Sequence, residues 1–420
     1  MSTGSKVYIE TYGCSASFSD SEICAGQLSE AGYSIVDNPE DSDVNVIVTC
    51  TVKTATANRM SHRIKKLSET NSALVVAGCM PKTQSKEIKK LNPNASLMGP
   101  DSIDQITNNV NSTLNGTPLI ELGKSTKPKV MLPKIRINPV IDIVEIGTGC
   151  LSSCTFCQVK IAKGTLVSYP PGTITEQIHE STNSGCKEIW LTSTDNGCYG
   201  MDMSMDLADL LESVVSVPNN FLIRVGMMNP MYMPRIRDGL LKSFESAKVF
   251  KFLHIPVQSG SDKVLNDMKR GHTAQTFRDV TNHFRNKFEK FTISTDIIVG
   301  FPTETVDDFE QTLQLLQETK PDIVNLSRYS RRPGTDAAEM KQIDVAEVKR
   351  RSKIAYELIT KISNENNRKW IGWEGHVIFD EEYEGQIRGR NFAYKPISVS
   401  YTHLRAHETD SYLVCRLLLE

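Results

Sequence analysis

The sequence predicts an α/β protein in three parts: an N-terminal doubly wound parallel sheet, a central partial (βα)6 barrel and a truncated small β module. Three observations predict this. Short apolar runs alternate with polar helical stretches in two series, one ending near residue 123 and one starting near residue 137. A Lys- and Pro-rich stretch, residues 124–136, lies between them. Beyond Trp370 the alternation gives way to short runs punctuated by Gly.

In the first part, residues 5–123, Val7-Tyr8-Ile9-Glu10 reads as a strand. A helix from about Ser19 to Ala31 follows, with Ser19 or Asp20 as N-cap and Gly32 as stop. Val44–Val48 and Leu74–Ala77 are further apolar strands. Short buried strands separated by helices require a parallel sheet covered on both faces. The stretch 124–136, with Lys127-Pro128-Lys129 and Pro133-Lys134, reads as an interdomain linker.

The second part, residues 137–369, has six strand candidates: Ile141–Ile146, Ile189–Thr192, Phe221–Val225, Phe252–Val257, Ile293–Val299 and Ile323–Ser327. Six βα units in a row suggest an incomplete barrel, with ligands on loops at the strands' carboxyl ends. In residues 370–399, Gly375–Phe379 and Gly385–Arg390 suggest a small β module. Residues 400–420 do not continue the strand pattern. They resemble translated adapter sequence, and a different native carboxyl terminus is expected.

Composition narrows the function. The chain has 420 residues, 39% of them hydrophobic and 23% charged, and a net charge of −2. There is no global basic field, so any RNA contact must come from local basic patches. No apolar run approaches bilayer-spanning length, and the start lacks a signal-peptide core. A cytoplasmic protein without membrane contact is expected. Ten Cys in such a chain suit metal binding or catalysis better than disulfides.

Cys150, Cys154 and Cys157 follow the first barrel strand directly. Three thiolates on one short loop can cap three irons of a cubane and leave the fourth iron open for chemistry. The alternative is a zinc site, which needs a fourth ligand such as His179 or Cys186. Cys14, Cys50 and Cys79 each follow a predicted strand of the first sheet, so all three should emerge at its carboxyl edge. Three inert buried cysteines are the alternative there. Cys24, Cys186, Cys198 and Cys415 carry no partner pattern.

The CxxxCxxC run Gly149–Cys157 resembles that of the radical S-adenosylmethionine (SAM) enzymes. Together with Glu10–Cys14, Ala77–Pro81, His254–Ser261 and Asp296–Thr305, it resembles the archaeal and eukaryotic tRNA branch of the radical SAM methylthiotransferases over residues 6–399. That resemblance implies conversion of N6-threonylcarbamoyladenosine at tRNA position 37 to its 2-methylthio derivative. It implies two 4Fe-4S clusters. Cys150, Cys154 and Cys157 would hold the one that binds and cleaves SAM, and Cys14, Cys50 and Cys79 the auxiliary one that delivers sulfur. The adenine C2–H bond is unactivated, so the cofactor carries the hard step and the protein positions it. The β module would be a partial TRAM domain. Partners would be a tRNA anticodon stem-loop, an electron donor of ferredoxin or flavodoxin type and a sulfur source, with the protein a monomer. Alternatives are a ribosomal-protein aspartate methylthiotransferase and a zinc-dependent RNA-binding protein without catalysis.

Further residues take roles by position. Phe156 packs on the cluster or SAM, or is a plain core aromatic. Ser193 and Asp195 end the second barrel strand, where the family binds the SAM amino group. Arg224, a charge within a barrel strand, is read as contacting SAM carboxylate or substrate. Gln258 is assigned to the SAM ribose, and Val299 and Gly300 to a backbone edge for adenine. Asp296 is a candidate substrate contact. Arg328, Tyr329, Arg331 and Arg332 form a basic-aromatic cluster suited to RNA, and Arg388 and Arg390 add basic residues in the β module.

Overall fold

The computed structural model describes residues 4–51, 54–125, 127–400 and 412–416. Strands β1 (Lys6–Thr11), β2 (Ser34–Val36), β3 (Val44–Thr49), β4 (Ala73–Gly78), β5 (Ser96–Met98) and β6 (Ile120–Glu121) form one parallel sheet in the order β2-β1-β3-β4-β5-β6. Helices α1 (Ser15–Glu30), α2 (Thr54–Leu67), α3 (Cys79–Leu91) and α4 (Ile106–Leu114) cover it. Strand β3 is buried at every position because both faces are used. Val46 and Val48 pack in a cluster with Ile23 and Leu28 of α1, and Ile47 packs in another with Met60 and Ile64 of α2.

Helix α1 starts four residues earlier than the sequence suggests. Cys14 is its N-cap, and Ser19 and Asp20 are buried inside it. Asp20 has the side chain of a capping residue but a different partner, the buried Lys129 ammonium at 2.5 Å. Lys129 also pairs with Glu145, which in turn holds Lys163 at 3.0 Å. The Lys/Pro stretch is therefore a packed strap rather than a free spacer. Its Ile135 amide donates to the Glu22 carbonyl at 2.9 Å, and the following Ile137 amide donates to Glu22 Oε1 at 3.0 Å. The two acids on the flanking parts, Asp20 and Glu145, are neutralised by Lys129 of the strap together with Lys163, so the strap and both parts must meet.

The second part contains β7 (Ile141–Glu145), β8 (Gly147–Thr148), α5 (Val159–Lys163), β9 (Val167–Ser168), α6 (Pro171–Asn183), β10 (Glu188–Thr192), α7 (Leu207–Ser216), β11 (Leu222–Val225), α8 (Met233–Ser243), β12 (Phe252–His254), α9 (Asp262–Asp267), α10 (Ala274–Lys287), β13 (Thr292–Val299), α11 (Val306–Thr319), β14 (Ile323–Arg328), α12 (Asp336–Glu339) and α13 (Val345–Arg368). Two parallel ladders, β11-β10-β7 and β12-β13-β14, curve into a partial barrel. They are joined by an Ile223–Val249 bridge and by the Met228 amide, which donates to the His254 carbonyl at 2.9 Å. The strands fall where the apolar runs place them, although β12 is shorter, ending at His254.

The last part is an antiparallel sheet of β15 (Glu374–Tyr383), β16 (Gln386–Asn391), β17 (Pro396–Ser400) and β18 (Tyr412–Arg416), in the order β17-β16-β15-β18. The expectation that strand structure stops near Ser400 is corrected here, because Tyr412–Arg416 pairs with Glu374–Ile378. That segment carries the apolar residues Leu413, Val414 and Cys415, which suit a strand beside an open edge. The module closes the amino-terminal end of the barrel. Tyr394 inserts among Phe250, Phe252 and Trp190, with ring centroids 5.0, 4.8 and 6.2 Å away.

Candidate active site

The sheet order makes β1, β3 and β4 direct neighbours, so their carboxyl ends lie side by side. Cys14, Cys50 and Cys79 follow these ends and gather at one edge. Gly13, at φ +139°, brings the first loop against the second, and a Cβ there would lie 2.7 Å from Cys50 Cβ. Cys14 caps α1 and Cys79 opens α3, so two helix amino termini face the cluster of thiols. Such ends favour thiolate. Hydrogen bonding from Cys50 holds the Cys14 thiol well below its ordinary value, whereas burial pushes Cys79 up to about 12. Lys163 from the barrel sets a cation near both.

The second triad lies on the loop after β8. Cys150 Sγ accepts from the Ser152 amide at 3.3 Å, and Cys154 Sγ accepts from Arg270 Nη1 at 3.3 Å. The Cys157 amide donates to the Cys154 carbonyl at 3.1 Å, which closes a tight turn between these two cysteines. Cys150 is lowered to about 7, chiefly by a hydrogen bond from Cys198, and Cys157 is raised to about 11 by burial. The ligating atoms of Cys150, Asp195 and Cys198 all lie within 4.8 Å of one another. Two all-thiol triads, each with soft donors and a cation beside it, fit iron–sulfur clusters. The zinc alternative loses its partners. His179 is exposed on α6, bonded to Asn183 at 3.1 Å, and Cys186 contacts the Pro139 carbonyl near the strands' amino ends.

Between the triads is a cavity of about 970 Å³. Cys157 and Phe156 border it on the barrel side, and Thr51, next to Cys50, borders it on the other. Gln258, Asp296, Gly300, Arg328, Tyr329, Arg331 and Arg332 also line it. Phe156 packs with Val264, Met268 and Phe301. Gln258 Oε1 is buried and lacks a partner among the described residues. Asp296 accepts from Asn325 at 2.7 Å and lies 3.1 Å from His254 Nε2. Asp195 is buried, which raises its carboxyl to about 6, and its Oδ1 accepts from the Gly197 and Asn229 amides at 3.0 Å each. Ser193 donates to Asn196 in the same turn.

Three expectations are corrected. Arg224 does not reach the cavity. It faces the barrel's amino-terminal end, with its guanidinium 5.6–5.8 Å from the rings of Trp190, Phe252 and Tyr394. The aromatic cage, one wall of it from the β module, is what tolerates the charge. Arg390 joins that plug, 4.9 Å from the Tyr394 ring and paired with Asp380, while Arg388 stays half-exposed on β16. The backbone edge at Val299-Gly300 is used in part, because the Val299 carbonyl accepts from Tyr329 at 2.8 Å and the Gly300 amide donates to Glu304 at 3.0 Å, while Gly300 still borders the cavity. The close approach that Gly300 permits is to Val348 of α13.

Two residues escaped the sequence reading. Arg270 is buried, bonded to Cys154 Sγ and, through Nη2, to the Pro256 carbonyl at 2.8 Å, with Nε unpartnered among the described residues. It is a cation directly at the triad, but it sits in a short connection after α9 with no motif around it. Cys198 is the other, brought to Cys150 by the tight turn Asn196–Cys198.

Relatives and solved structures are consistent with this geometry. Residues 6–99 match the uncharacterized protein family UPF0004, and residues 144–316 match the radical SAM superfamily. The chain is 41% identical over 397 residues to a probable threonylcarbamoyladenosine tRNA methylthiotransferase of Methanothermobacter thermautotrophicus, covering 94% of this chain and 93% of the relative. The chain belongs to the threonylcarbamoyladenosine tRNA methylthiotransferase family, within the radical SAM enzymes. The Homo sapiens member is 38% identical over 387 residues, covering 90% of this chain and 66% of that protein. Among solved structures, the radical SAM methyltransferase TsrM from Kitasatospora setae, with cobalamin and a [4Fe-4S] cluster bound, shares the fold at TM-score 0.58 and 10% identity, covering 80% of this chain and 77% of that one. As in that family, a 4Fe-4S cluster and SAM are the cofactors, and a second cluster is expected. No helix among the described residues is long and apolar enough to cross a membrane.

Proposed function

We propose that this methylthiotransferase acts on N6-threonylcarbamoyladenosine at tRNA position 37 and adds a methylthio group at C2. The observation that carries the reading is that one cavity is lined by Cys157 of one triad and by Thr51, which directly follows Cys50 of the other. A single base seated there would face both. Cys150, Cys154 and Cys157 would hold the cluster that supplies the electron for SAM cleavage, and Cys14, Cys50 and Cys79 would hold the one that supplies sulfur.

The chain's own residues hold the reactants. Arg270 offers a cation for the SAM carboxylate beside Cys154. Asp195, held by two amides, fixes the turn behind Cys150 and faces its thiol at 4.0 Å. Gln258 presents an unpartnered oxygen to the cavity, suited to a ribose hydroxyl. Phe156 forms an apolar wall that helps exclude water from a reactive radical. At the mouth, the exposed Arg328 and Arg331 are placed to meet anticodon-loop phosphates. One chain carries both triads, so a monomer is a complete catalytic unit, working in the cytoplasm with a ferredoxin- or flavodoxin-type donor and a separate sulfur source.

The test is mass spectrometry of tRNA nucleosides after anaerobic incubation with SAM, reductant and a sulfur source. The 2-methylthio derivative should appear at the expense of N6-threonylcarbamoyladenosine. Zinc in place of iron after anaerobic reconstitution, with no modified nucleoside, would overturn the reading.

A further inference from the structure

One corner of the cavity holds buried polar atoms with nothing to bind. Thr51 Oγ1, Gln158 Oε1 and Arg332 Nη2 are each buried, lack a hydrogen-bond partner among the described residues, and belong to residues lining the cavity. Thr51 follows Cys50 and Gln158 follows Cys157, so this corner lies between the two triads. Arg332 is held there by its backbone. Its carbonyl accepts from Thr335 Oγ1 at 2.8 Å, and the next carbonyl, of Pro333, accepts from Gln158 Nε2 at 3.1 Å. The residue is only 6% exposed.

The Cys50 thiol lies near enough to favour the charge of Arg332, but its Nη2 has no acceptor among the described residues, and a buried charged donor left unpaired is costly. Its neighbours in sequence do not share the predicament. Arg328 and Arg331 are exposed, and Arg331 lies 3.7 Å from Glu339. Phosphates of an RNA loop meet such exposed residues at the mouth, whereas the buried, unpaired Nη2 of Arg332 is placed to meet a group carried on the inserted base itself. The threonylcarbamoyl group supplies one carboxylate, one hydroxyl and ureido N–H groups. This set complements one cationic donor, one hydroxyl and one amide oxygen.

Resting on the proposed substrate, we propose that Arg332, with Thr51 and Gln158, reads the threonylcarbamoyl group, the Arg332 guanidinium pairing with its carboxylate. This makes Arg332 the residue that separates N6-threonylcarbamoyladenosine from adenosines with neutral N6 substituents.

The test measures affinity of the cluster-loaded protein for anticodon stem-loops bearing either N6-threonylcarbamoyladenosine or its methyl ester. The wild-type protein should bind the acid about 100-fold more tightly. In R332Q that preference should fall to about threefold or less, through loss on the acid alone. R332K, with a displaced ammonium, should lose at least about tenfold of the preference, and it carries the test if R332Q does not fold. A preference kept at the wild-type ratio in either variant would overturn the assignment. Equal loss on both RNAs, with an altered electron paramagnetic resonance signal, would assign Arg332 to the Cys50 triad instead and also overturn it. If the wild-type protein prefers the acid but leaves it unmodified, the proposed function fails while the reader assignment stands. If it shows no preference, the reader assignment fails on its own.

Discussion

Replacing Lys129 with Met tests what holds the sheet domain on the barrel. Lys129 is 6% exposed and bridges Asp20 of α1, at 2.5 Å, and Glu145 of β7. The four groups Asp20, Glu145, Lys129 and Lys163 sum to zero charge. Without Lys129 one negative charge is left over, and only Lys163, 3.0 Å from Glu145, remains to offset two acids. Burial already raises the Asp20 carboxyl to about 6 with Lys129 in place. Removing one partner of a buried pair costs about 3–5 kcal/mol. For units of this size that is a fall of roughly 6–20 °C in thermal midpoint. The loss should grow from pH 5 to pH 8, because Asp20 must either ionise without its partner or take up a proton from increasingly dilute supply. Circular dichroism melts of K129M, D20N and the double variant measure it. The double variant should recover more than half of the loss. A K129M midpoint within 2 °C of wild type, or no recovery in the double variant, would refute the view that this network clamps the two parts.

Other consequences follow from burial elsewhere. Burial raises the Glu22 carboxyl from 4.5 to about 7. The folded state therefore binds the proton more tightly, and stability falls as pH rises from about 4.5 to 7. E22Q should be about 2–3 kcal/mol more stable than wild type at pH 8 and equal to it at pH 4, read from urea unfolding; a pH-independent difference would contradict this. Y394A removes the aromatic plug from the barrel's amino-terminal end and should cost about 2–4 kcal/mol. Limited proteolysis should then cut within residues 370–399 before the barrel; an unchanged digestion pattern would show that the module docks by other contacts.

The strands were legible because they are apolar runs of strand length, and the two cysteine triads because each Cys follows such a run. What failed depends on partners far away in sequence. Asp20 resembles an N-cap by residue type, and only the strap's Lys129 reveals it as a buried ion pair. Arg224 was rightly read as needing compensation, but its cage comes partly from Tyr394, more than a hundred residues later. Arg390 looked like a surface base and is tied to Asp380 within the same plug. Arg270 had no local pattern at all, since its meaning lies in Cys154 across the barrel. Arg332 was grouped with Arg328 and Arg331 as one basic run, and folding separates it by burying it while they stay exposed.

The division of labour between the two triads is the central claim, and one paired measurement tests it. Cluster-reconstituted C154A and C50A are incubated with SAM, dithionite, a sulfur source and threonylcarbamoyl-modified tRNA, and both 5′-deoxyadenosine and methylthiolated nucleoside are quantified. C154A should form neither product. C50A should still form 5′-deoxyadenosine while giving no methylthiolated nucleoside. Equal loss of both products in the two variants, or methylthiolation surviving in C50A, would contradict separate roles for Cys150, Cys154 and Cys157 and for Cys14, Cys50 and Cys79.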